Sequence, residues 1–268
     1  MKIQNKEDLL KWALQAKYLW LFLDYDGTLA DFAPTPDHIV PDPVVIQLLE
    51  RLAKIPSVRV TVISGRRLKD IQTLVPVNGI YKAGTYGIEL MQPNNEITYR
   101  VEYENIRPHL DTVKPQWERL TQNKNGFFLE DKGWTLALHA RFANDTDAGD
   151  VIAKAKNIAS IELPQDIFHI LGGHKFLEIA PKLANKKDSV SYILEKFPLP
   201  EAELLYFGDD DKDENAFPVI HSHQGYAVKV IHPAQESKPT TADVILRSPA
   251  ETIQWLGRFL QLKKQIDR

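Results

Sequence analysis

Cysteine is absent from the 268 residues. Its absence removes disulfides, thiolate nucleophiles and thiolate metal sites, and it is compatible with a reducing compartment. A basic excess is also missing: 33 Lys and Arg stand against 36 Asp and Glu, for a net charge of −3. A dedicated nucleic-acid binder carries a strong positive footprint, so that class is set aside. No apolar run approaches the roughly 20 residues of a membrane-spanning helix. Residues 1–17 scatter Lys, Asn, Glu and Asp among their apolar positions and hold no uninterrupted signal core. The expectation is a cytoplasmic chain, monomeric, with neither a nucleic-acid nor a membrane partner. Internal repeats and low-complexity segments are lacking too. What is present is 43% hydrophobic residues, enough for a sizeable core in one elaborated domain or two small ones.

One stretch organises the rest. The apolar run from Tyr18 to Leu23 has no polar face to give to water and reads as a buried strand. It breaks into Asp24-Tyr25-Asp26-Gly27-Thr28-Leu29. Two carboxylates at the mouth of a buried strand repel each other and lose hydration unless a cation or a proton relieves them. Carboxylates, a backbone carbonyl and water suit Mg²⁺. The plainer alternative is a solvated turn, since Asp-Gly is a common turn pair.

Strands and helices then alternate. Asp42-Pro43 starts a helix that runs to about Lys54, after an irregular stretch over 30–43 holding Pro34, Pro36, Pro41 and Pro43. Val58–Ile63 reads as a strand ending at Ser64-Gly65-Arg66, and a helix over 68–74 follows. Tyr81–Leu90 reads as one further strand, broken by Gly84 and Gly87. This grammar predicts a parallel sheet. Between about 107 and 180 it changes. Trp134, Leu136, Leu138 and Ala140 alternate with Thr135, Ala137, His139 and Arg141, as in a sheet with one covered face. A hairpin is predicted about Gly172-Gly173. After 181 the first grammar returns: a helix over 186–196, a strand over 203–207, an acidic run from Gly208 to Glu214, a helix from Asn215, and a final helix from about Ala250. The reading is a core of 1–106 and 181–268 with an inserted α/β domain at 107–180.

Four polar clusters follow strands or open helices of the core: Asp24/Asp26 with Thr28; Ser64; Lys186 or its neighbour Lys187; and Asp209 and Asp213 with Asp210 between. Gathered in one crevice, they suit phosphoryl transfer. A cation and a lysine neutralise the moving group, hydroxyls bond its oxygens, and a carboxylate attacks phosphorus.

Asp24-Tyr25-Asp26-Gly27-Thr28-Leu29 resembles the first motif of the haloacid dehalogenase-type phosphatases. Ser64, Lys186 and Gly208-Asp209-Asp210 with Asp213 match the remaining motifs in order, and the insert matches an α/β cap. Within that superfamily the chain is most similar to the trehalose-6-phosphate phosphatases. The matching pieces are Ile63-Ser64-Gly65-Arg66, Glu130-Asp131-Lys132-Gly133, Leu138-His139-Ala140-Arg141, Gly173-His174-Lys175-Phe176-Leu177-Glu178, and the run from Gly208 to Phe217. The resemblance implies an α/β fold: a Rossmann-like parallel-sheet core with an inserted α/β cap. It implies Mg²⁺-dependent hydrolysis of a small sugar phosphate, trehalose 6-phosphate, through an aspartyl-phosphate. Asp24 is then the nucleophile and Asp26 the general acid and base. Ser64 and Lys186 hold phosphoryl oxygens. Asp24, Asp26, Asp209 and Asp213 form the metal set, with Asp213 a ligand or an acid behind the ligands. Thr28, Arg66, Glu130, Lys132, Lys175 and Glu178 contact substrate.

The chain departs from the family at four places. Thr85-Tyr86-Gly87 stands for a His-Gly pair, Ala180 for an Arg before Pro181, Lys187 for a Gly, and Lys212 for a Thr. These changes favour, as an alternative, a phosphatase of the same build acting on another sugar phosphate. A non-catalytic sugar-phosphate sensor and a mutase are further rivals. Simpler roles compete at single residues too. Ser64 can cap a helix, Arg66 can serve a structural ion pair, Asp210, Asp211 and Glu214 can begin a helix, and His139, His174 and the tryptophans can simply pack.

Overall fold

The computed structural model describes residues 3–32, 40–232 and 239–266. Pro34 and Pro36 of the proline-rich stretch lie outside the described residues. The chain divides into two compact units, Met1–Thr98 with Asn185–Arg268, and Tyr99–Ala184. The sequence grammar places the insert at 107–180. The units part slightly outside those limits, because a helix already begins at Tyr103 and a strand runs through to Pro181. No helix among the described residues is long and apolar enough to cross a membrane.

The first unit is built on α1 (Lys6–Gln15), β1 (Tyr18–Asp24), α2 (Pro43–Ala53), β2 (Val58–Ile63), α3 (Leu68–Leu74), β3 (Tyr81–Gly84), β4 (Glu89–Met91) and β5 (Ile97–Tyr99). It resumes with α6 (Lys186–Lys196), β10 (Ala202–Gly208), α7 (Asp211–Glu214), α8 (Phe217–Ser222), β11 (Tyr226–Val230), β12 (Val244–Leu246) and α9 (Pro249–Ile266). The sheet order is β12-β11-β10-β1-β2-β3-β4-β5. From β12 to β3 every pair is parallel, and β4 turns back antiparallel on β3. Strand β1 is apolar up to its last residue, Asp24, because both faces are covered. Leu19, Leu21 and Leu23 enter one core with residues of α1, α2 and α9, while Trp20 and Phe22 enter another with residues of α6 and α8.

The order places β10, β1 and β2 side by side, with later strands added outward on both sides of β1. This is a topological switch point, where a crevice opens beyond the carboxyl ends of the strands. Asp24 ends β1, Ser64 follows β2, and Asp209 follows β10. Tyr81–Leu90 is not one strand but a tight β3–β4 hairpin. Thr85 (φ 49°) and Tyr86 (φ 54°) adopt left-handed backbone at its turn, and their N–H groups donate to the carbonyls of Arg66 and Ser64.

The second unit has α4 (Tyr103–Thr121) and α5 (Asp145–Glu162) on an antiparallel sheet ordered β6-β7-β9-β8. Its strands are β6 (Phe128–Asp131), β7 (Leu136–His139), β8 (Phe168–Gly173) and β9 (Phe176–Pro181). Helix α4 runs through Pro108 and Pro115, carried by the buried stripe Ile106, Leu110, Val113 and Trp117. The hairpin turn falls at His174-Lys175, not Gly172-Gly173. Gly173 pairs with Phe176, and Lys175 takes the positive φ of 55°.

Candidate active site

Three of the four core clusters meet through the side chains of Asp24, Lys186, Asp209 and Asp213, and Ser64 follows the strand beside β1. Lys186 is the first residue of α6, after the cap Asn185, and it is buried while Lys187 is exposed. Its Nζ lies 2.6 Å from Asp24 Oδ1 and 2.6 Å from Asp213 Oδ1. Asp213 owes its position to a capping box. Asp210 caps α7, and the Asp213 side chain reaches back to the N–H of Asp210. A short separate helix thus stands at Asp211–Glu214, and the helix expected from Asn215 is α8, which begins at Phe217. Asp213 Oδ1 also accepts from the Tyr206 hydroxyl at 2.7 Å, and Oδ2 accepts from the Asp209 N–H at 3.1 Å. Its two oxygens are thus filled by four donors, which makes Asp213 the support of Lys186 and of the loop after β10.

Asp24, Asp209 and Asp213 each bring a carboxylate oxygen within 4.8 Å of the others, and all three are buried. The Lys186 ammonium bonds two of these three carboxylates. The result is visible in the protonation chemistry. Burial pushes the Asp24 carboxyl up to about 8, with Asp209 and Asp210 adding to the shift and Lys186 opposing it. Burial, then Asp213 and Asp210, push Asp209 up to about 8 as well. Burial would lower Lys186, but Asp213 and Asp24 hold it well above its ordinary value. Burial, and then the charge of Asp213, hold the Tyr206 phenol protonated, as its role as donor requires.

Asp209 Oδ2 of this cluster and Thr28 Oγ1 of the loop after β1 are buried with no hydrogen-bond partner among the described residues. A buried carboxylate without a donor is costly, and a divalent cation is the ligand that relieves surplus carboxylates. The donor set is all oxygen, which fits a hard cation. Gly27 (φ 86°) is required beside it, because a Cβ there would stand 2.5 Å from the Asp209 carboxyl.

Asp26 points to a different partner. Arg66 holds it from two sides, Nε at 2.7 Å and Nη2 at 2.8 Å. Ser64 Oγ accepts the Arg66 N–H at 3.1 Å, and its own O–H remains to donate. Tyr86, one of the departures, packs its ring on the backbone of Gly65, where a Cβ would fall 2.5 Å from it. Lys212, another departure, donates to the Tyr86 hydroxyl and lies 4.3 Å from its ring centroid. The two altered residues have become partners of one another.

The second unit holds its own cluster. Register aligns Glu130, Ala137 and Glu178 across β6, β7 and β9. Lys132 Nζ and Thr135 Oγ1 donate to Glu178 Oε1 at 2.8 and 3.0 Å, and His139 Nε2 lies 3.0 Å from Glu130 Oε2. Lys175 is not among them. Its Nζ bonds the Ala143 carbonyl at 2.6 Å and Asp145 at 2.7 Å, so the turn residue serves the loop before α5. Trp134 packs edge-on against Tyr103, as a packing residue does.

Sequence reasoning missed Tyr206 and His232. His232 follows the carboxyl end of β11, with Nε2 3.1 Å from the Gly27 carbonyl. A polar residue just past a parallel strand was the available signal for it. For Tyr206 there was none, because an aromatic inside an apolar strand reads as core.

The family model described as Trehalose-phosphatase matches residues 22–250. Trehalose-phosphate phosphatase B of Arabidopsis thaliana is 26% identical over 274 residues, 97% of this chain and 71% of the relative. Trehalose-phosphate phosphatase of Mycobacterium tuberculosis is 28% identical over 250 residues, 92% of this chain and 62% of the relative, so the chain spans about three fifths of that protein. In fold, the chain is similar to the C-terminal domain of Candida albicans trehalose-6-phosphate phosphatase, with a TM-score of 0.82, 20% identity and 96% of each chain covered. It is also similar to a haloacid dehalogenase-like hydrolase of Bacteroides thetaiotaomicron, with a TM-score of 0.62, 16% identity, and 90% and 99% covered. With the family model spanning most of its length, this chain belongs to the trehalose-phosphatase family.

Proposed function

We propose that the protein hydrolyses trehalose 6-phosphate to trehalose and phosphate. The observation that carries the chemistry is the buried set Asp24, Asp209, Asp213 and Lys186, three clustered carboxylates of which two bond one ammonium. The family supports the substrate. In this reading the Asp24 carboxylate attacks phosphorus, and the bond from phosphorus to the sugar oxygen breaks. Asp26 gives that oxygen its proton, and the product is an aspartyl-phosphate. Asp26 then takes a proton from water as the water oxygen attacks phosphorus, releasing phosphate and regenerating Asp24. Ser64, Thr28 and Lys186 bond the phosphoryl oxygens.

Asp24, Asp209 and the Asp26 carbonyl would hold Mg²⁺, with Asp213 behind them. Bound there, it supplies positive charge to the phosphoryl group. Arg66 has two tasks in turn: it orients Asp26 in the resting protein and bonds the phosphoryl group when that arrives. In the second unit, Glu130, Lys132 and Glu178 offer several acceptors and donors, as a polyhydroxylated ligand requires, because a hydroxyl left unpaired in a closed site is penalised.

The Tyr86–Lys212 pair favours a second reading, the same chemistry on another glycosyl phosphate. A panel of sugar phosphates assayed with Mg²⁺ for phosphate release separates the two. The expected result is the highest kcat/KM with trehalose 6-phosphate. A higher value for another sugar phosphate overturns the substrate, and binding without release on any of them overturns the enzyme.

A further inference from the structure

Beside the carboxylate cluster stands a histidine that the proposed mechanism does not use. His232 is largely enclosed, its side chain 15% exposed. Its ring packs against Phe32 at a centroid distance of 5.0 Å. Nε2 lies 3.1 Å from the Gly27 carbonyl oxygen and 4.0 Å from Asp209 Oδ2, the oxygen left without a hydrogen-bond partner.

A carbonyl oxygen only accepts, so Nε2 carries the proton and donates to it. A protonated ring nitrogen has no lone pair for a metal. His232 is therefore not a ligand through this atom, and its contact with Gly27 is structural. Gly27 is the residue whose missing side chain lets Asp209 approach the acidic loop. Its N–H already bonds the Ala30 carbonyl at 2.7 Å. His232 ties down its carbonyl end, so the peptide groups on either side of the Gly27 Cα are both held, next to the Asp26 carbonyl and the Asp209 carboxylate.

We propose that His232 is a positioning residue of the divalent-cation site, fixing Gly27 through its Nε2–H so that Asp209 Oδ2 stays open to the cation. The proposal rests on the cation reading given above. Partners that orient metal ligands commonly contribute about ten- to hundred-fold in metal affinity.

The test is Mn²⁺ binding to the full chain without substrate, followed by electron paramagnetic resonance and calorimetry. His232→Ala is expected to weaken binding about ten- to hundred-fold. His232→Gln, whose amide N–H can donate to Gly27, is expected to restore most of it. It also serves as the readable variant if the alanine form does not fold. Affinity within about twofold of the unmodified chain in His232→Ala overturns the proposal, and so does a Gln variant as weak as the Ala variant. Asp209→Asn is the control for the underlying reading. Lost Mn²⁺ binding there with intact binding in His232→Ala rejects the histidine's role alone. Intact binding in Asp209→Asn rejects the cation site itself, and the histidine's role with it.

Discussion

Each unit of the molecule gathers carboxylates beside cations, and the two balance their charges in opposite ways. In the first unit, Asp24 and Asp213 share the ammonium of Lys186 with Asp209 beside them, and the Asp24 and Asp209 carboxyls rise to about 8. In the second, Asp131 accepts from Arg107 at 2.7 and 2.9 Å, from Lys114 at 2.9 Å and from the Gly133 N–H at 2.9 Å. Burial would raise it, but Arg107 and Lys114 outweigh burial and hold Asp131 well below the usual carboxylate range. Burial acts the same way on Glu130, and there the His139 hydrogen bond and Lys132 win. The same residue types thus make a charge-deficient cluster and a satisfied one. The deficit is what a cation and a phosphoryl group can exploit, and the satisfied network holds the shape of a sheet face.

The largest effect expected from this contrast is at Asp24. Asp24→Asn should reduce phosphate release at least about a thousand-fold, because the nucleophile is lost. It should also leave the metal-free fold at least as stable, because one of three crowded carboxylates becomes neutral. Steady-state release and thermal unfolding check both. Activity within tenfold of the unmodified chain would remove Asp24 from the nucleophile's place.

A smaller effect concerns pH. Asp24 and Asp209 titrate near 3.8 when unfolded and at about 8 when folded without a cation. Their raised values mean that the folded state binds the extra protons. The stability this gives is complete below about pH 4 and is lost as pH rises towards 8. Mg²⁺ should therefore raise the unfolding temperature more at pH 8 than at pH 5, where protons compete with it. Equal increments at the two values would contradict the charge deficit.

The smallest effect belongs to the satisfied cluster. Arg107→Met should cost no more than about 1 kcal/mol at neutral pH, since the pair is partly exposed and screened. The lowered value of Asp131 gives stability that is present above its unfolded value near 3.8 and lost as pH falls below it. The cost of the substitution should thus fade below about pH 4 in denaturant titrations. A loss of several kcal/mol would show that the Asp131 charge is desolvated and depends on Arg107 for its compensation.

Much of the core was legible in the sequence because its strands are covered on both faces. A strand such as Tyr18–Leu23 has to be apolar throughout, and the first polar residue after it marks the strand end where a site can lie. Ser64 and Asp209 were found by the same rule. The β3–β4 hairpin was not legible, because its turn rests on left-handed Thr85 and Tyr86, residue types that rarely take that backbone. The turn at His174-Lys175 was misplaced for a related reason: two glycines promised a turn that strand register moved by two residues.

The chain alone determined the parallel α/β grammar, the order of the acidic, hydroxyl and lysine clusters, and the phosphoryl-transfer chemistry they suit. These are local facts, set by burial along a strand and by residue type. Tertiary structure decided which of two adjacent lysines faces the carboxylates, that Asp213 spends both its oxygens on support, and that Tyr86 and Lys212 answer one another. It also brought His232 to Gly27, 205 residues away in sequence. Such pairings depend on where a parallel sheet delivers its strand ends, and no local pattern encodes a distance between them.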